Sequence, residues 1–335
     1  MFTLMIKKEN RVFVPGLTIN VTDYCNFKCE YCPPYGENLA KGTAYDENAT
    51  LLLIDLAKKY DIKQVRFTGG EPFIMPDRLK VFLQSSGSSF RRLVVNTNGS
   101  KLHENFDWLV DYRNQIVLKI SLDTLNEEKY NEVTKGQFFE AVYRNINTAI
   151  QKSFDIELNV VLFKQTYEEL ANLVEFAVRN MIDVKFLTIS SFYGKIDPMV
   201  SNANSYVNVK RLVDYLSLQS RDVSHERLVG ERGAPMLVYK VKSSKFTIFD
   251  HRTKDCITPL KCYFYKCEHG CSMFPCDHGA FSITLSTDGL ITVCRGKKDW
   301  SKMVFFQNSK AIESAFMWAL KQFQKCFEID VNTIL

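Results

Sequence analysis

Ten cysteines fall in two groups along a chain of 335 residues. Cys25, Cys29 and Cys32 stand in a C-x3-C-x2-C spacing, and none follows until Cys256. Then Cys256, Cys262, Cys267, Cys271, Cys276 and Cys294 crowd together, and Cys326 stands apart. Disulfide frameworks also carry even counts, but they usually staple small secreted domains that lack a core. The N-terminal MFTLMIKKENRVF has no apolar h-region, and no run of about 18 apolar residues follows it. The chain is therefore expected in the reducing cytoplasm without a membrane span, where clustered thiols bind metal more often than each other. Three thiolates this close cannot complete the four-ligand set of zinc or of an ordinary cubane cluster. A cubane held by three cysteines leaves one iron open to an outside ligand. A zinc knuckle, or three buried thiols, is the competing reading.

Chemistry of that kind needs a scaffold, and the composition supplies one. With 46% hydrophobic and 24% charged residues the chain buries a real core, and a net charge of +5 argues against general nucleic-acid binding. β-Branched runs at Leu17–Thr22, Val65–Thr68, Leu93–Asn98, Val117–Asp123, Ile156–Leu162 and Val184–Ser190 alternate with helical patterns. The patterns cover Thr50–Tyr60, Leu79–Leu83, Phe106–Tyr112, Phe139–Lys152 and Tyr167–Asn180. Six nearly continuous apolar strands with intervening helices predict parallel pairing. The fold class is α/β: a partial (β/α)6 TIM-like barrel over 1–195, with a smaller α+β subdomain over 196–335. In it, Tyr206–Leu218 reads as a helix, Glu226–Pro235 as a loop, and Leu237–Val241 and Phe246–Phe249 as strands. A hairpin from Phe281 to Val293 turns at Asp288-Gly289, and a helix over Lys310–Phe327 closes the chain.

The triad sits just after the first strand, on the barrel face where ligand chemistry gathers. Its C-x3-C-x-(aromatic)-C form, with Tyr31 as the aromatic, resembles the signature of the radical S-adenosylmethionine (SAM) enzymes. The resemblance implies a [4Fe–4S] cluster on Cys25, Cys29 and Cys32. Its open iron would chelate SAM, and one electron from it would release a 5′-deoxyadenosyl radical. Thr68-Gly69-Gly70-Glu71-Pro72, after the second strand, resembles the family's GGE motif, which holds the methionine ammonium. Two glycines permit close approach to a ligand, and a carboxylate can pair with an ammonium. By the same resemblance Asn98, Ser121, Asp123 and Asn159 line the cofactor, although Asn98 alone reads equally as a turn residue and Asp123 as a helix cap. Over roughly 12–190 the blocks VTDYCNFKCEYC, RFTGGEP, NTNG and SLDTLNEEKYNEVT resemble the GTP-cyclising, MoaA-like branch of that family.

From Cys276 the spacing C-x12-G-x4-C, through Gly289 to Cys294, resembles SPASM and twitch subdomains. That implies an auxiliary iron–sulfur cluster on Cys276, Cys294 and two of Cys262, Cys267 and Cys271. Zinc, with His269 and His278 at hand, is the alternative. Where the GTP-cyclising branch has two hairpin arginines and one before the first cysteine motif, this chain has Ser282, Thr284 and Thr18. Losing cations argues against a triphosphate substrate. The expected function is hydrogen-atom abstraction from a small molecule, such as a sugar, aminosugar or nucleoside or nucleotide derivative. An electron donor such as flavodoxin or ferredoxin is the expected partner. A peptide maturase is the main alternative, disfavoured because only 24 residues precede Cys25. GTP cyclisation and a non-enzymatic zinc protein complete the field.

Overall fold

A computed structural model describes residues 6–8, 11–13, 16–29, 31–32, 44–188, 209–220, 222–229, 232–249, 282–293 and 301–328. Two short strands, β1 (Ile6–Lys8) and β2 (Arg11–Phe13), pair with each other. The barrel strands are β3 (Gly16–Thr22), β4 (Gln64–Gly69), β5 (Arg92–Thr97), β6 (Ile116–Ser121), β7 (Asp155–Leu162) and β8 (Asp183–Thr188). All six are parallel and adjacent in chain order. Between them run α1 (Glu47–Lys59), α2 (Pro76–Ser86), α3 (Phe106–Leu109), α4 (Glu127–Thr134), α5 (Phe139–Gln151) and α6 (Leu170–Arg179).

Their sequences explain the helices. Asp46 caps α1 by accepting from Ala49 N at 2.9 Å, with Glu47 in its first turn and Lys58 and Lys59 in its last. Asn126 caps α4 through Lys129 N at 3.0 Å, and Lys135 ends it in the left-handed region at φ 56. That helix, among the polar residues of SLDTLNEEKYNEVT, carried too weak an apolar stripe to be read from sequence.

The strands alternate more than their composition suggests. One side chain in two, for example Ile19, Phe67, Val95, Ile120 and Val160, enters a core shared with the helices. The intervening positions carry Thr18, Arg66, Asn96, Lys119, Glu157 and Lys185 on the opposite, inner face. The barrel interior therefore carries charged and polar side chains beside apolar ones such as Val94 and Val117.

The sheet stays open and grows at both ends. After α7 (Lys210–Gln219) come β9 (Asp222–Val229), β10 (Arg232–Val241) and β11 (Ser244–Phe249), of which β11 pairs parallel with β8. The loop expected over 226–235 is thus a correction: most of it lies in the β9–β10 ladder. Pro235 is tolerated because it sits at a register shift, one residue beyond the first β10–β11 pair, Met236 with Phe249.

At the other end β12 (Ser282–Leu285) pairs parallel with β3, then antiparallel with β13 (Leu290–Thr292), which pairs with β14 (Ser301–Met303). The expected hairpin is present, with Gly289 at φ +83 in its turn. Its docking on the first barrel strand was not foreseen. The last helix, α8 (Ser309–Glu328), packs on α1, with Lys59 Nζ 2.6 Å from Glu313 and the Tyr60 ring 5.9 Å from that of Phe316. No helix among the described residues is long and apolar enough to cross a membrane.

Candidate active site at the mouth of the barrel

The loop after β3 carries the cysteine triad and is fastened on every side. Gly70 N donates to Thr22 O at 2.7 Å, and Glu71 N donates to Tyr24 O at 2.8 Å, which joins it to the end of β4. Asn26 Nδ2 donates to Ser100 Oγ and Asn98 Nδ2 to Asn26 Oδ1, both at 2.9 Å, which joins it to the end of β5. Lys28 N donates to Thr134 O at 3.2 Å, and the rings of Phe27 and Phe138 stack 4.2 Å apart. Thr287, in the turn after β12, hydrogen-bonds Asp23. Cys25, Cys29 and Cys32 are all partly buried.

The two glycines of the 68–72 segment serve this clamp. A Cβ on Gly69, at φ +124, would lie 2.2 Å from Thr22 O, and one on Gly70 would lie 2.0 Å from Tyr24 O. The close approach they permit is to the backbone of the cysteine loop. Glu71 is fully buried. Its Oε1 accepts from Thr97 Oγ1 at 2.7 Å and from Phe73 N at 3.1 Å, and its Oε2 accepts from Asn98 N at 2.6 Å. It thereby fixes the end of β5 relative to the end of β4.

Asn98 is more than a turn residue. Its Oδ1 accepts from Ser100 N and Oγ, while its Nδ2 reaches to 3.8 Å from Cys25 Sγ. Phe27 N also donates to Cys25 Sγ at 3.4 Å. Donors aimed at sulfur stabilise the thiolate and tune a cluster bound through it. Ser121, the last residue of β6, and Asn159, midway along β7, are half-buried register neighbours. Asp123 accepts from Val161 N at 2.8 Å and from the Tyr31 hydroxyl, tying the end of the cysteine loop to β7. Burial pushes its carboxyl up to about 6, against the opposing pull of those two donors. Burial, then the nearby Asp123 charge, holds the Tyr31 hydroxyl well above its usual range.

Ten of the eleven residues predicted around the first cluster therefore lie at, or in the loops after, the C-terminal ends of β3 to β6, and Asn159 lies midway along β7 beside Ser121. The auxiliary set of Cys262, Cys267, Cys271, Cys276 and Cys294, like Cys256, His269 and His278, lies outside the described residues. Cys326 falls in α8, and its side chain is not described. Asn26, Ser100, Tyr130 and Thr134 were missed, since isolated polar residues carry no spacing signal. The inner-face Arg66, Lys119, Glu157 and Lys185 were missed because they interrupt strands otherwise read as apolar.

Lys119 pairs with Glu157, which also accepts from Arg92 at 3.3 Å. Burial lowers Lys119 to about 8, and burial followed by the charges of Lys119 and Arg66 lowers Lys185 to about 7. The inner face thus carries four basic side chains, Arg66, Arg92, Lys119 and Lys185, around the buried carboxylate of Glu157 among its described residues.

Residues 19–177, which carry the clamped triad and most of the barrel, match the Radical SAM superfamily. That segment of the chain is similar to the radical SAM domain. Its barrel is similar to that of the GTP 3′,8-cyclases. The protein of that name from Synechocystis sp. is 29% identical over 179 residues, 52% of this chain and 53% of its own length. One from Clostridium botulinum is 25% identical over 327 residues, 92% of this chain and 90% of its own. The chain therefore spans about half the length of the Synechocystis relative.

Among solved structures, Streptococcus suis SuiB bound to S-adenosylmethionine gives a TM-score of 0.62 at 17% identity, over 89% of this chain and 65% of SuiB. The structure of anSMEcpe with bound AdoMet gives 0.57 at 12% identity, over 95% and 81%. These two likenesses concern the fold.

The superfamily uses a [4Fe–4S] cluster and SAM, and the donor set fits. Three partly buried thiols share one rigid loop with N–H donors directed at sulfur. Among the described residues no three His, Cys, Asp or Glu side chains gather round a single ion position. A cubane instead takes each thiolate on a separate iron.

Proposed function

We propose that the chain abstracts a hydrogen atom from a small, anionic molecule, such as a phosphorylated sugar, aminosugar or nucleoside. The observation that carries this reading is the excess of basic groups, Arg66, Arg92, Lys119 and Lys185 against Glu157, on the inner face of the barrel. Cys25, Cys29 and Cys32 would hold the cluster, and the ends of β4 to β6 with the middle of β7 would hold SAM through Gly69, Gly70, Glu71, Asn98, Ser121, Asp123 and Asn159, with Tyr31 beside it. Bound there, the two supply the electron and the adenosyl group that together remove a hydrogen atom from an unactivated C–H bond. The cations orient the substrate's anion, and the buried Oδ1 of Asn96, which has no hydrogen-bond partner among the described residues, offers an acceptor for a ligand N–H or O–H.

The residues over 196–335 are proposed as a subdomain that closes this chamber and carries an auxiliary [4Fe–4S] cluster on Cys276, Cys294 and two of Cys262, Cys267 and Cys271. A flavodoxin or ferredoxin in the cytoplasm would supply electrons. GTP cyclisation is the second reading, favoured by the named relatives. Against it, Thr18, Ser282 and Thr284 bring hydroxyls together on β3 and β12.

The test is to incubate reconstituted protein and SAM with paired phosphorylated and unphosphorylated sugars and nucleosides, with GTP, and with candidate peptides. Formation of 5′-deoxyadenosine above the substrate-free rate is then measured. Stimulation by phosphorylated members alone supports the reading, and stimulation by peptides alone contradicts it.

A further inference from the structure

Tyr130 is a buried side chain for which the described structure provides no hydrogen-bond partner. It lies on α4 at 1% exposure, its ring edge-on to Phe139 at 5.6 Å, and its hydroxyl is both buried and unbonded. A buried hydroxyl is ordinarily satisfied, so an orphan marks a missing partner. The helix directs it toward the cysteine loop. Thr134, one turn on and on the same face, hydrogen-bonds Tyr130 O through its own hydroxyl. The Thr134 carbonyl in turn accepts from Lys28 N, the residue before Cys29.

The acidic groups whose charges act on the Tyr130 hydroxyl are Asp123, Cys29 and Glu71, all members of the site. Asp123 is engaged by Val161 N and Tyr31, and Glu71 by Phe73, Thr97 and Asn98. A phenol is protonated at neutral pH, so the hydroxyl is a donor.

We propose that Tyr130 is a positioning residue whose hydroxyl donates to the Cys29 sulfur when the cluster is bound, and so makes the cluster easier to reduce. This rests on the triad holding an iron–sulfur cluster. A donor to a ligating sulfur offsets the negative charge added on reduction, so its removal favours the oxidised form.

The experiment compares anaerobically reconstituted full-length protein with Tyr130→Phe. Iron and sulfide are counted, and the cluster whose EPR signal responds to SAM is titrated for its midpoint potential. The expected result is an unchanged iron count with the reduced-to-oxidised ratio down about tenfold at the wild-type midpoint, about 59 mV lower for one electron. The apo variant should melt no lower than wild type, because only an unbonded hydroxyl is removed.

An unchanged midpoint with a full cluster overturns the proposal. So does weakened SAM binding at an unchanged midpoint, which would place the hydroxyl on SAM. Wild-type protein that takes up no iron overturns the cluster reading itself, and is told apart from failure at Tyr130 alone by the wild-type iron count.

Discussion

Thr18 Oγ1 donates a hydrogen bond to Ser282 Oγ at 3.2 Å across 264 residues of sequence. The contact welds β12 to the first barrel strand, where Thr18 stands in register with Thr284 on one side and Arg66 on the other. Three positions that the GTP-cyclising branch would fill with arginine hold neutral hydroxyls at one place on the sheet. Hydroxyls cannot replace bidentate guanidinium contacts to a triphosphate. Reconstituted protein incubated with SAM, reductant and GTP should therefore form no cyclised nucleotide, as read by mass spectrometry. Stoichiometric conversion of GTP would contradict this.

Much of the barrel was legible because apolar runs and helical spacing report burial directly. The expected Leu17–Thr22 and Phe139–Lys152 differ from β3 and α5 by one residue at one end. What escaped was set by tertiary contact. The Pro- and Gly-containing stretch around Pro235 joins a strand because a neighbouring ladder ends beside it, and α4 is held by caps and by the cysteine loop. The triad announced its chemistry by spacing, whereas Tyr130 and Lys185 acquire meaning only from what the fold places around them.

Glu71 joins two strand ends through three buried hydrogen bonds. Glu71→Ala leaves those donors without their acceptor and should cost at least about 3 kcal/mol, at roughly 1–3 kcal/mol for each. Glu71→Gln keeps an acceptor oxygen and should lose less. Urea unfolding of the apo protein at constant m-value measures both. A loss below about 0.5 kcal/mol for the alanine variant would refute the clamp.

Lys185 titrates near 7 because burial and the charges of Lys119 and Arg66 lower it. It is cationic below that pH and neutral above it, so anion binding to the inner face should weaken as pH rises. If only the protonated form binds, affinity for sulfate should fall about tenfold between pH 6 and pH 8. Thermal shift across a sulfate titration reads this, and Lys185→Met should flatten the profile. A wild-type affinity that is constant or rises with pH would contradict it.

The most direct test of the cysteine triad is anaerobic reconstitution of wild-type protein beside a variant with Cys25, Cys29 and Cys32 all changed to Ala. Iron, sulfide and reductant-dependent formation of 5′-deoxyadenosine from SAM are measured on both. Wild type should bind about four irons and four sulfides at the triad, plus those of the auxiliary cluster, and cleave SAM; the variant should retain about four irons and cleave none. A colourless zinc protein that leaves SAM intact would contradict the radical SAM assignment.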